Sequence, residues 1–335
     1  MTKRTATLTC GVVGTNFISD WFAEATARTE SAAIGAVCSR SRDTGVSFAA
    51  RYGIPTVYTE LRDMLRDGTV DAVYIATPNY LHAPMIEECL RAGKHVLCEK
   101  PATQSAADFE RLCILARERG LVLLEAMRPD FDPAYGVLRT ALKDIGRLRR
   151  VALTFCQYSS RYDAFRAGEV RRAFDPSIGN CALADIGIYP LHIAVSLFGA
   201  PAGMTGHSVF LSNGFEGAGE LLLDYTSQGF TASVTYSKIA DSTLPSVLEG
   251  EDGILTVDKL TQPTRIELFR RADKTTEVLY TASHGGNMTF EVDAFVAMTR
   301  AERSPAPFTE ATRTTLSLMD AYMKDAGIVM PSVGI

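Results

Sequence analysis

A lysine stands at the point where an apolar run of this sequence ends. Residues 94–98 read Lys-His-Val-Leu-Cys, and Glu99, Lys100 and Pro101 follow them directly. In an open α/β sheet the carboxyl ends of the parallel strands form the ligand crevice, so a strand that ends before Lys100 aims its ammonium at a bound ligand. Pro101 restricts the backbone that follows. The sequence therefore predicts that Lys100 binds ligand and takes part in its chemistry.

A second group of polar side chains lies between residues 185 and 192. Asp185 and Tyr189 are four residues apart and Tyr189 and His192 are three apart, so a helix places all three on one face. A phenol is a weak base at neutral pH, but a neighbouring ammonium stabilises its phenolate form. With a lysine, this face could exchange a proton with a substrate hydroxyl. The structural alternatives are a packed aromatic at Tyr189, a packed histidine at His192, and a helix cap or ion-pair partner at Asp185.

A glycine-containing loop, residues 11–19, follows the first strand-like run and opens a helix. Backbone N–H groups at a helix start can face a pyrophosphate. Gly14 takes the first place of the G-x-G-x-x-G/A pattern, whereas Asn16 and Ser19 replace the two later small residues; Asn tolerates left-handed backbone. The alternative is a tight turn without a ligand. The predicted cofactor-binding residues of the loop are Gly11, Gly14, Thr15, Asn16, Phe17 and Ile18.

The residues after the second strand-like run favour NADP(H) over NAD(H). NAD-specific folds place an Asp or Glu there, but this sequence has Ser39 and Arg40. A hydroxyl and a guanidinium suit a 2′-phosphate. NAD(H) stays the alternative, in which Arg40 only begins a solvated helix.

The elements that must position these residues divide the chain in two. From residue 7 to about 127, short β-branched runs alternate with amphipathic helical stretches, which is typical of a parallel sheet covered by helices. Beyond Met127, strand-like stretches follow one another across short turns. The prediction is an α/β protein: a doubly wound Rossmann domain over residues 1–127, and a substrate-binding and oligomerisation α+β domain with a large, mostly antiparallel open sheet over 128–335.

Composition narrows the function classes. A net charge of -5 without long basic runs argues against nucleic acid and anionic membrane surfaces as partners. A polar start and the lack of an apolar stretch of membrane-spanning length predict a cytoplasmic protein. The 7 cysteines, an odd number without a Cys-x-x-Cys pair, predict buried reduced thiols. The histidines lack zinc-site spacing, so no metal is expected.

Together these motifs resemble the glucose-fructose oxidoreductase / inositol dehydrogenase / rhizopine-catabolism (Gfo/Idh/MocA) family over nearly the whole chain. In the family motif Asp-x-Gly-x-His-x-x-Asp, Asp185 and Gly187 match, Tyr189 stands at the histidine place, and His192 stands at the final aspartate place. Branches similar to glucose-fructose oxidoreductase and the dimeric dihydrodiol dehydrogenase use a lysine and a tyrosine with an Asp-Ile-Gly-Ile-Tyr type of segment. The resemblance thus implies Lys100, Tyr189, Asp185 and His192 as catalytic residues.

The resemblance also implies the activity and the ligand contacts. The implied activity is NADP(H)-dependent hydride transfer to or from a hydroxyl-bearing carbon of a sugar, cyclic polyol or vicinal diol, by a homodimer or dimer of dimers joined through the C-terminal sheet. A catalytically silent nucleotide-binding sensor and a redox-assisted lyase or glycosidase stay as alternatives. Further cofactor contacts are expected at Ala76, Thr77, Pro78, Asn79, His82, Glu99 and Lys100. Substrate contacts are expected at Lys100, Asp185, Tyr189 and His192. The polar side chains of Tyr158 and Arg161, and Arg128 after the last Rossmann strand, are further substrate-binding candidates, with inter-subunit contacts and, for Arg128, a structural ion pair as the alternatives.

Overall fold

The computed structural model of the chain describes residues 7–283 and 286–329, and the chain divides into two compact units. The first unit contains a six-stranded sheet in the order β3-β2-β1-β4-β5-β6. Its strands are β1 (Leu8–Val13), β2 (Ala32–Cys38), β3 (Thr56–Tyr58), β4 (Ala72–Ile75), β5 (His95–Glu99) and β6 (Leu123–Ala126). The helices between them are α1 (Phe17–Ala27), α2 (Arg42–Tyr52), α3 (Leu61–Asp67), α4 (His82–Arg91) and α5 (Ala106–Glu118).

All five strand pairings of this sheet are parallel. The four residues of β4 are buried on both faces, as expected for a central strand covered by helices on both sides. Strand order reverses at β1, which lies between β2 and β4, so the carboxyl ends of β1 and β4 mark the topological switch point. The predicted doubly wound fold is confirmed. The short elements β3 and α3 were not predicted, because they contain too few residues to show a hydrophobic period.

The second unit contains an eight-stranded sheet in the order β14-β13-β12-β11-β7-β10-β9-β8. Its strands are β7 (Leu148–Cys156), β8 (Gly203–Phe210), β9 (Glu216–Tyr225), β10 (Phe230–Ser237), β11 (Ser246–Gly250), β12 (Gly253–Val257), β13 (Arg265–Arg270) and β14 (Thr275–Thr281). The remaining α-helices among the described residues are α6 (Pro133–Ala141), α7 (Tyr162–Arg166), α8 (Ile188–Phe198), α9 (Met288–Thr299) and α10 (Ala306–Ala326). Among the described strands of this second sheet, only β7 and β10 pair in parallel, so the predicted mostly antiparallel sheet is confirmed.

The two units are not each one continuous segment of the chain. The first unit ends at Arg128 but also takes in Gly286–Glu310, which the prediction assigned to the second domain. Packing explains the return of the chain: Asp293 on α9 accepts hydrogen bonds from the hydroxyls of Thr29 at 2.6 Å and Ser31 at 2.7 Å. A prediction that divides the sequence at a single position cannot describe a later segment that belongs to the first unit.

A π-helix (Leu183–Gly187) precedes α8 directly, where the sequence predicted one continuous helix. Pro190 supplies the physical reason. It has no N–H to donate to the carbonyl four residues earlier, and its ring would collide with that carbonyl in a regular α-helix. A wider π turn relieves both problems, and such turns often occur at functional sites.

Candidate active site

Gly14 forms the turn from β1 towards α1. Its φ of 103° lies in the region that favours glycine, and a Cβ there would lie 2.5 Å from the carbonyl oxygen of Ala76. Asn16 has extended rather than left-handed backbone and caps α1: its Oδ1 accepts from the Ile18 N–H at 2.9 Å, and its Nδ2 donates to the Ala76 carbonyl at 2.8 Å. The loop therefore holds the first turn of α1 beside the carboxyl end of β4, with no room for a side chain at Gly14.

Ser39 and Arg40 follow β2 at the same edge of the sheet. The buried Ser39 hydroxyl lies 2.7 Å from the hydroxyl of Thr44, whereas Arg40 is exposed. Ser41 caps α2, so the helix begins after these two residues. Arg40 is thus the more accessible candidate for a 2′-phosphate.

His82 lies inside the first unit, not at a ligand-facing surface. Its Nδ1 is 2.9 Å from the Pro101 carbonyl and its Nε2 is 2.8 Å from the Thr77 carbonyl. Burial lowers the pKa of His82; the two carbonyls oppose that shift, and the charge of Lys100 adds to it. His82 has a structural role, because its ring nitrogens join the loops that follow β4 and β5; its cofactor contact stays a prediction.

Two buried carboxylates fix the backbone on either side of Lys100. Glu99 accepts from the Tyr74 hydroxyl at 2.6 Å, and burial raises the pKa of this carboxyl although Tyr74 and Lys100 act in the opposite direction. Glu125, on β6, accepts from the Ala102 N–H at 2.7 Å. Lys100 itself is partly exposed directly after β5. The predicted strand-end position of the ammonium is therefore present, on a segment held from both sides.

In the second unit, Asp185, Tyr189 and His192 contact three different partners rather than sharing one open face. The half-exposed Asp185 carboxylate lies 2.7 Å from Nζ of Lys238. The buried ring of Tyr189 meets the ring of Phe155 edge-on, with centroids 5.7 Å apart. Sequence reasoning missed Lys238 and Phe155, which lie far from residues 185–192 along the chain.

His192 is fully buried, and its Nε2 lies 2.8 Å from Oδ2 of Asp130. The other oxygen of Asp130 accepts from the Ser196 hydroxyl at 2.7 Å, and Nδ1 of His192 is 3.4 Å from the Thr315 hydroxyl. Burial alone would raise the pKa of Asp130, but the adjacent imidazole holds it below its usual value. His192 therefore lies in the core of the second unit, and its role as a substrate ligand or base stays a prediction. The spacing of His192 from Tyr189 did not predict its burial, because His192 lies almost one turn further along α8 and contacts other residues.

The other predicted substrate contacts make local interactions. The Tyr158 hydroxyl donates to Asp163 at 2.6 Å, and Arg161 is exposed just before α7. Arg128 lies in the first unit: its guanidinium is 5.3 Å from the Trp21 ring centroid and donates to Asn287 at 3.2 Å. These residues are accessible to small molecules to different degrees, but none of these contacts identifies a ligand.

A cavity of about 340 Å³ lies at the end of β7 in the second unit. Phe155 lines it and also contacts the Tyr189 ring. The cavity wall is mixed, since Leu244 and Leu260 alternate with the hydroxyls of Thr154 and Ser242 and the amide of Gln262. Its volume and mixed lining suit a small polar molecule.

Residues 7–283 and 286–329 contain neither a metal-binding cluster nor a membrane-spanning helix. No group of three or more His, Cys, Asp or Glu side chains in that part of the chain could hold a metal ion. No helix there is long and apolar enough to cross a membrane.

Comparison with known proteins gives matches along most of the chain. Residues 8–127 match the family described as "Oxidoreductase family, NAD-binding Rossmann fold", and residues 139–256 match "GFO/IDH/MocA C-terminal domain". The chain is 38% identical over 323 residues to scyllo-inositol 2-dehydrogenase (NADP(+)) IolU of Bacillus subtilis (strain 168), a match that covers 96% of this chain and 98% of that protein.

Two further relatives differ in substrate. Trans-1,2-dihydrobenzene-1,2-diol dehydrogenase of Mus musculus is 31% identical over 235 residues, covering 69% of this chain and 68% of that protein. Among solved structures, the 3-ketoreductase KijD10 from Actinomadura kijaniata, in complex with NADP and TDP-benzene, superposes with a TM-score of 0.82. Its sequence identity is 28%, with 95% of this chain and 98% of that chain covered.

Proposed function

The chain belongs to the Gfo/Idh/MocA family of oxidoreductases, and we propose that it transfers a hydride between NADP(H) and a hydroxyl-bearing carbon of a sugar, cyclic polyol or vicinal diol. The relatives named above are a scyllo-inositol 2-dehydrogenase, a trans-dihydrodiol dehydrogenase and a 3-ketoreductase, and two of their descriptions include NADP. The observation that carries the proposal for this chain is Lys100, held directly after β5 at the ligand-binding edge of a Rossmann sheet.

The residues of the first unit fit the proposed cofactor. Gly14 takes the first place of the dinucleotide pattern, where a glycine permits the tight turn, and only a glycine fits at this position beside the Ala76 carbonyl. The start of α1 offers N–H groups to the phosphates, and exposed Arg40 suits the 2′-phosphate of NADP(H). A bound NADP⁺ would supply the hydride acceptor.

Lys100 and Tyr189 have complementary roles in the proposed chemistry. The Tyr189 hydroxyl exchanges a proton with the substrate hydroxyl, and the Lys100 ammonium stabilises the negative charge that develops on oxygen. The contact of Tyr189 with Phe155, which lines the cavity, supports a substrate-facing position for this phenol. Asp185 accepts a hydrogen bond from a further substrate hydroxyl, for which its half-exposed carboxylate is suited.

The test is reduction of NADP⁺ by a panel of inositols, sugars and vicinal diols. Lys100→Met and Tyr189→Phe should each lower kcat by roughly 100- to 10,000-fold, and the double variant should be little worse than either single one. Tyr52→Phe is the matched control, because the Tyr52 hydroxyl contacts Asp20 on α1 and has no proposed role. Wild-type turnover by Tyr189→Phe would refute the assignment of the proton-transfer group. Product formation without net NADPH would indicate lyase or glycosidase chemistry, and cofactor binding without turnover would indicate a sensor.

We further propose a homodimer or dimer of dimers joined through the outer face of the eight-stranded sheet. The strand register places Val209, Leu222 and Val278 on this face, opposite the buried core residues, and Leu222 is 52% exposed. Such exposed apolar side chains on an open sheet favour a second copy as partner.

A cytoplasmic location is part of the same proposal. All seven cysteines are free thiols and five of them are buried, which is typical of a reducing compartment. Cell fractionation would test it, and recovery of the protein outside the cytoplasm would refute it.

A further inference from the structure

Lys238, the residue directly after β10, is a buried lysine beside Asp185. Its side chain is only 7% exposed, and its Nζ lies 2.7 Å from Oδ2 of Asp185 and 3.0 Å from the carbonyl of Ala173. The ring centroids of Phe174 and Phe215 lie 5.1 Å and 5.3 Å from the same atom. A carboxylate, a carbonyl and two aromatic faces therefore surround this ammonium.

Stability alone does not account for a charge at this place. Burying an ammonium removes its hydration, and a hydrophobic side chain in place of a buried ion pair is often as stable or more stable. The Phe174 and Phe215 rings, which are 4.9 Å apart and fully buried, would pack well around an aliphatic residue. The ammonium therefore needs another explanation, and its carboxylate partner provides one.

Asp185 is the partner, and it connects the buried site with the solvent. Its side chain is 48% exposed although Lys238 is buried, so the carboxylate meets the ammonium on one side and solvent on the other. It lies on the π-helix, whose first N–H, that of Leu183, donates to the buried Glu216 at 2.9 Å. Glu216 of β9 thus holds the start of the π-helix, and Lys238, directly after β10, holds the Asp185 side chain.

We propose that Lys238 is a positioning residue for substrate recognition: its ammonium fixes the Asp185 carboxylate so that it accepts a hydrogen bond from a substrate hydroxyl other than the reacting one. The inference rests on the proposed function, in which Asp185 contacts the polyol. A carboxylate held in one orientation loses less conformational entropy on binding than a mobile one. A site built to pair a hydroxyl also discriminates against the analogue that lacks it. The substrate class is therefore a polyol with a second hydroxyl near the reacting carbon.

The experiment compares Lys238→Met, Lys238→Arg, Asp185→Asn and the double variant Lys238→Met/Asp185→Asn with the wild type. The substrates are the polyol of the panel that the wild type oxidises fastest and its deoxy analogue, which lacks the hydroxyl next to the reacting carbon. Lys143→Met, the same change at an exposed lysine after α6, is the control. NADPH affinity is measured in parallel, since Lys238 and Asp185 belong to the second unit.

Lys238→Met should lower kcat/KM for the polyol by about 10- to 100-fold, mainly through KM, and should reduce the preference over the deoxy analogue by a similar factor. Asp185→Asn should give a similar loss, the double variant should lose no more than either single one, and Lys238→Arg should recover part of the activity. NADPH affinity should not change.

Three results would overturn the inference. The first is a folded Lys238→Met with wild-type KM and wild-type preference for the polyol; the second is a double variant whose loss equals the product of the single losses. If Lys238→Met does not fold, Lys238→Gln replaces it, because glutamine keeps a donor for the Ala173 carbonyl without the charge. The third result is a Lys238→Gln variant whose preference for the polyol over the deoxy analogue is unchanged. A wild type that oxidises no member of the panel would instead refute the proposed function.

Discussion

Replacing Glu216 with glutamine should remove a pH dependence of folding stability. Glu216 is 1% exposed at the start of β9, where it accepts from the Leu183 N–H at 2.9 Å and the Ser208 hydroxyl at 3.4 Å. Burial raises the pKa of Glu216 from 4.5 to about 7, although these hydrogen bonds oppose the shift. Glutamine has the same shape, keeps the acceptor for Leu183 and resembles the protonated acid at every pH.

The sign of the effect follows from the direction of the pKa shift. The folded-state pKa lies above the unfolded value, so the folded protein binds this proton more tightly than the unfolded chain. The resulting stabilisation is complete below the unfolded value of 4.5, is lost as pH rises, and is absent above about pH 7. At 1.36 kcal/mol per pKa unit, ionised Glu216 costs about 3 kcal/mol above that range. Between about pH 5 and about pH 8 the change amounts to about 2.5 kcal/mol.

Urea unfolding of wild type and Glu216→Gln across this pH range measures the effect. The free energy of unfolding of the variant, relative to that of the wild type, should increase by about 2.5 kcal/mol from the acid to the alkaline end. Burial raises the pKa values of the neighbouring Cys181, Tyr236 and Tyr322, so these groups do not titrate in the window. Glu118→Gln, at an exposed position of α5, is the control. A constant difference between variant and wild type, or one that falls with pH, would refute the reasoning.

Three further predictions concern the cofactor, the core and the assembly. Arg40→Asp should weaken NADPH binding about 10- to 100-fold and NADH binding much less, because it replaces a charge-assisted contact with the 2′-phosphate by repulsion. Titration of both cofactors measures the effect. If the wild type bound NADH more tightly than NADPH, the cofactor assignment would be wrong. His192→Asn should lower the free energy of unfolding by about 3 to 5 kcal/mol by leaving the Asp130 charge buried, yet the folded enzyme should keep its turnover; a loss of kcat comparable to that of Tyr189→Phe would restore His192 as a catalytic residue. Leu222→Lys should shift the protein towards monomer in sedimentation equilibrium, and an unchanged mass would place the interface elsewhere.

The arrangement of elements and the strand-end residues could be predicted because both depend on local patterns. Alternation of strands and helices specified the parallel sheet, and the end of the apolar run before Lys100 specified its place at the ligand edge. The turn at Gly14 was equally local, although the role of Asn16 as a helix cap was not foreseen. Helical spacing alone could not predict the surroundings of Asp185, Tyr189 and His192. Pro190 forces a π turn before α8, and the spacing of residues does not indicate how deeply each side chain is buried.

The burial of Lys238 could have been predicted from the residues that precede it in the sequence. The even-numbered residues of β10, Phe230, Ala232, Val234 and Tyr236, are all buried, and Lys238 continues their two-residue period beyond the end of the strand. A lysine at a core-facing position needs an opposite charge, and this condition predicts a carboxylate partner without identifying it. The partner, Asp185, comes from the π-helix and is far away in sequence, so only the fold brings the two together.

The burial of Glu216 could not have been predicted in the same way, because the register of β9 is broken near this residue. The odd-numbered residues Leu221, Leu223 and Tyr225 are buried, so the alternation assigns the even-numbered Glu216 to the outer face. The pairing with β8 shifts by one residue between Val209 and Phe210, because Val209 pairs with Ala218 but Phe210 pairs with Glu216. One extra residue in a strand reverses which face the residues beyond it occupy. This bulge turns the Glu216 carboxylate into the core, where it meets the first N–H of the π-helix that carries Asp185.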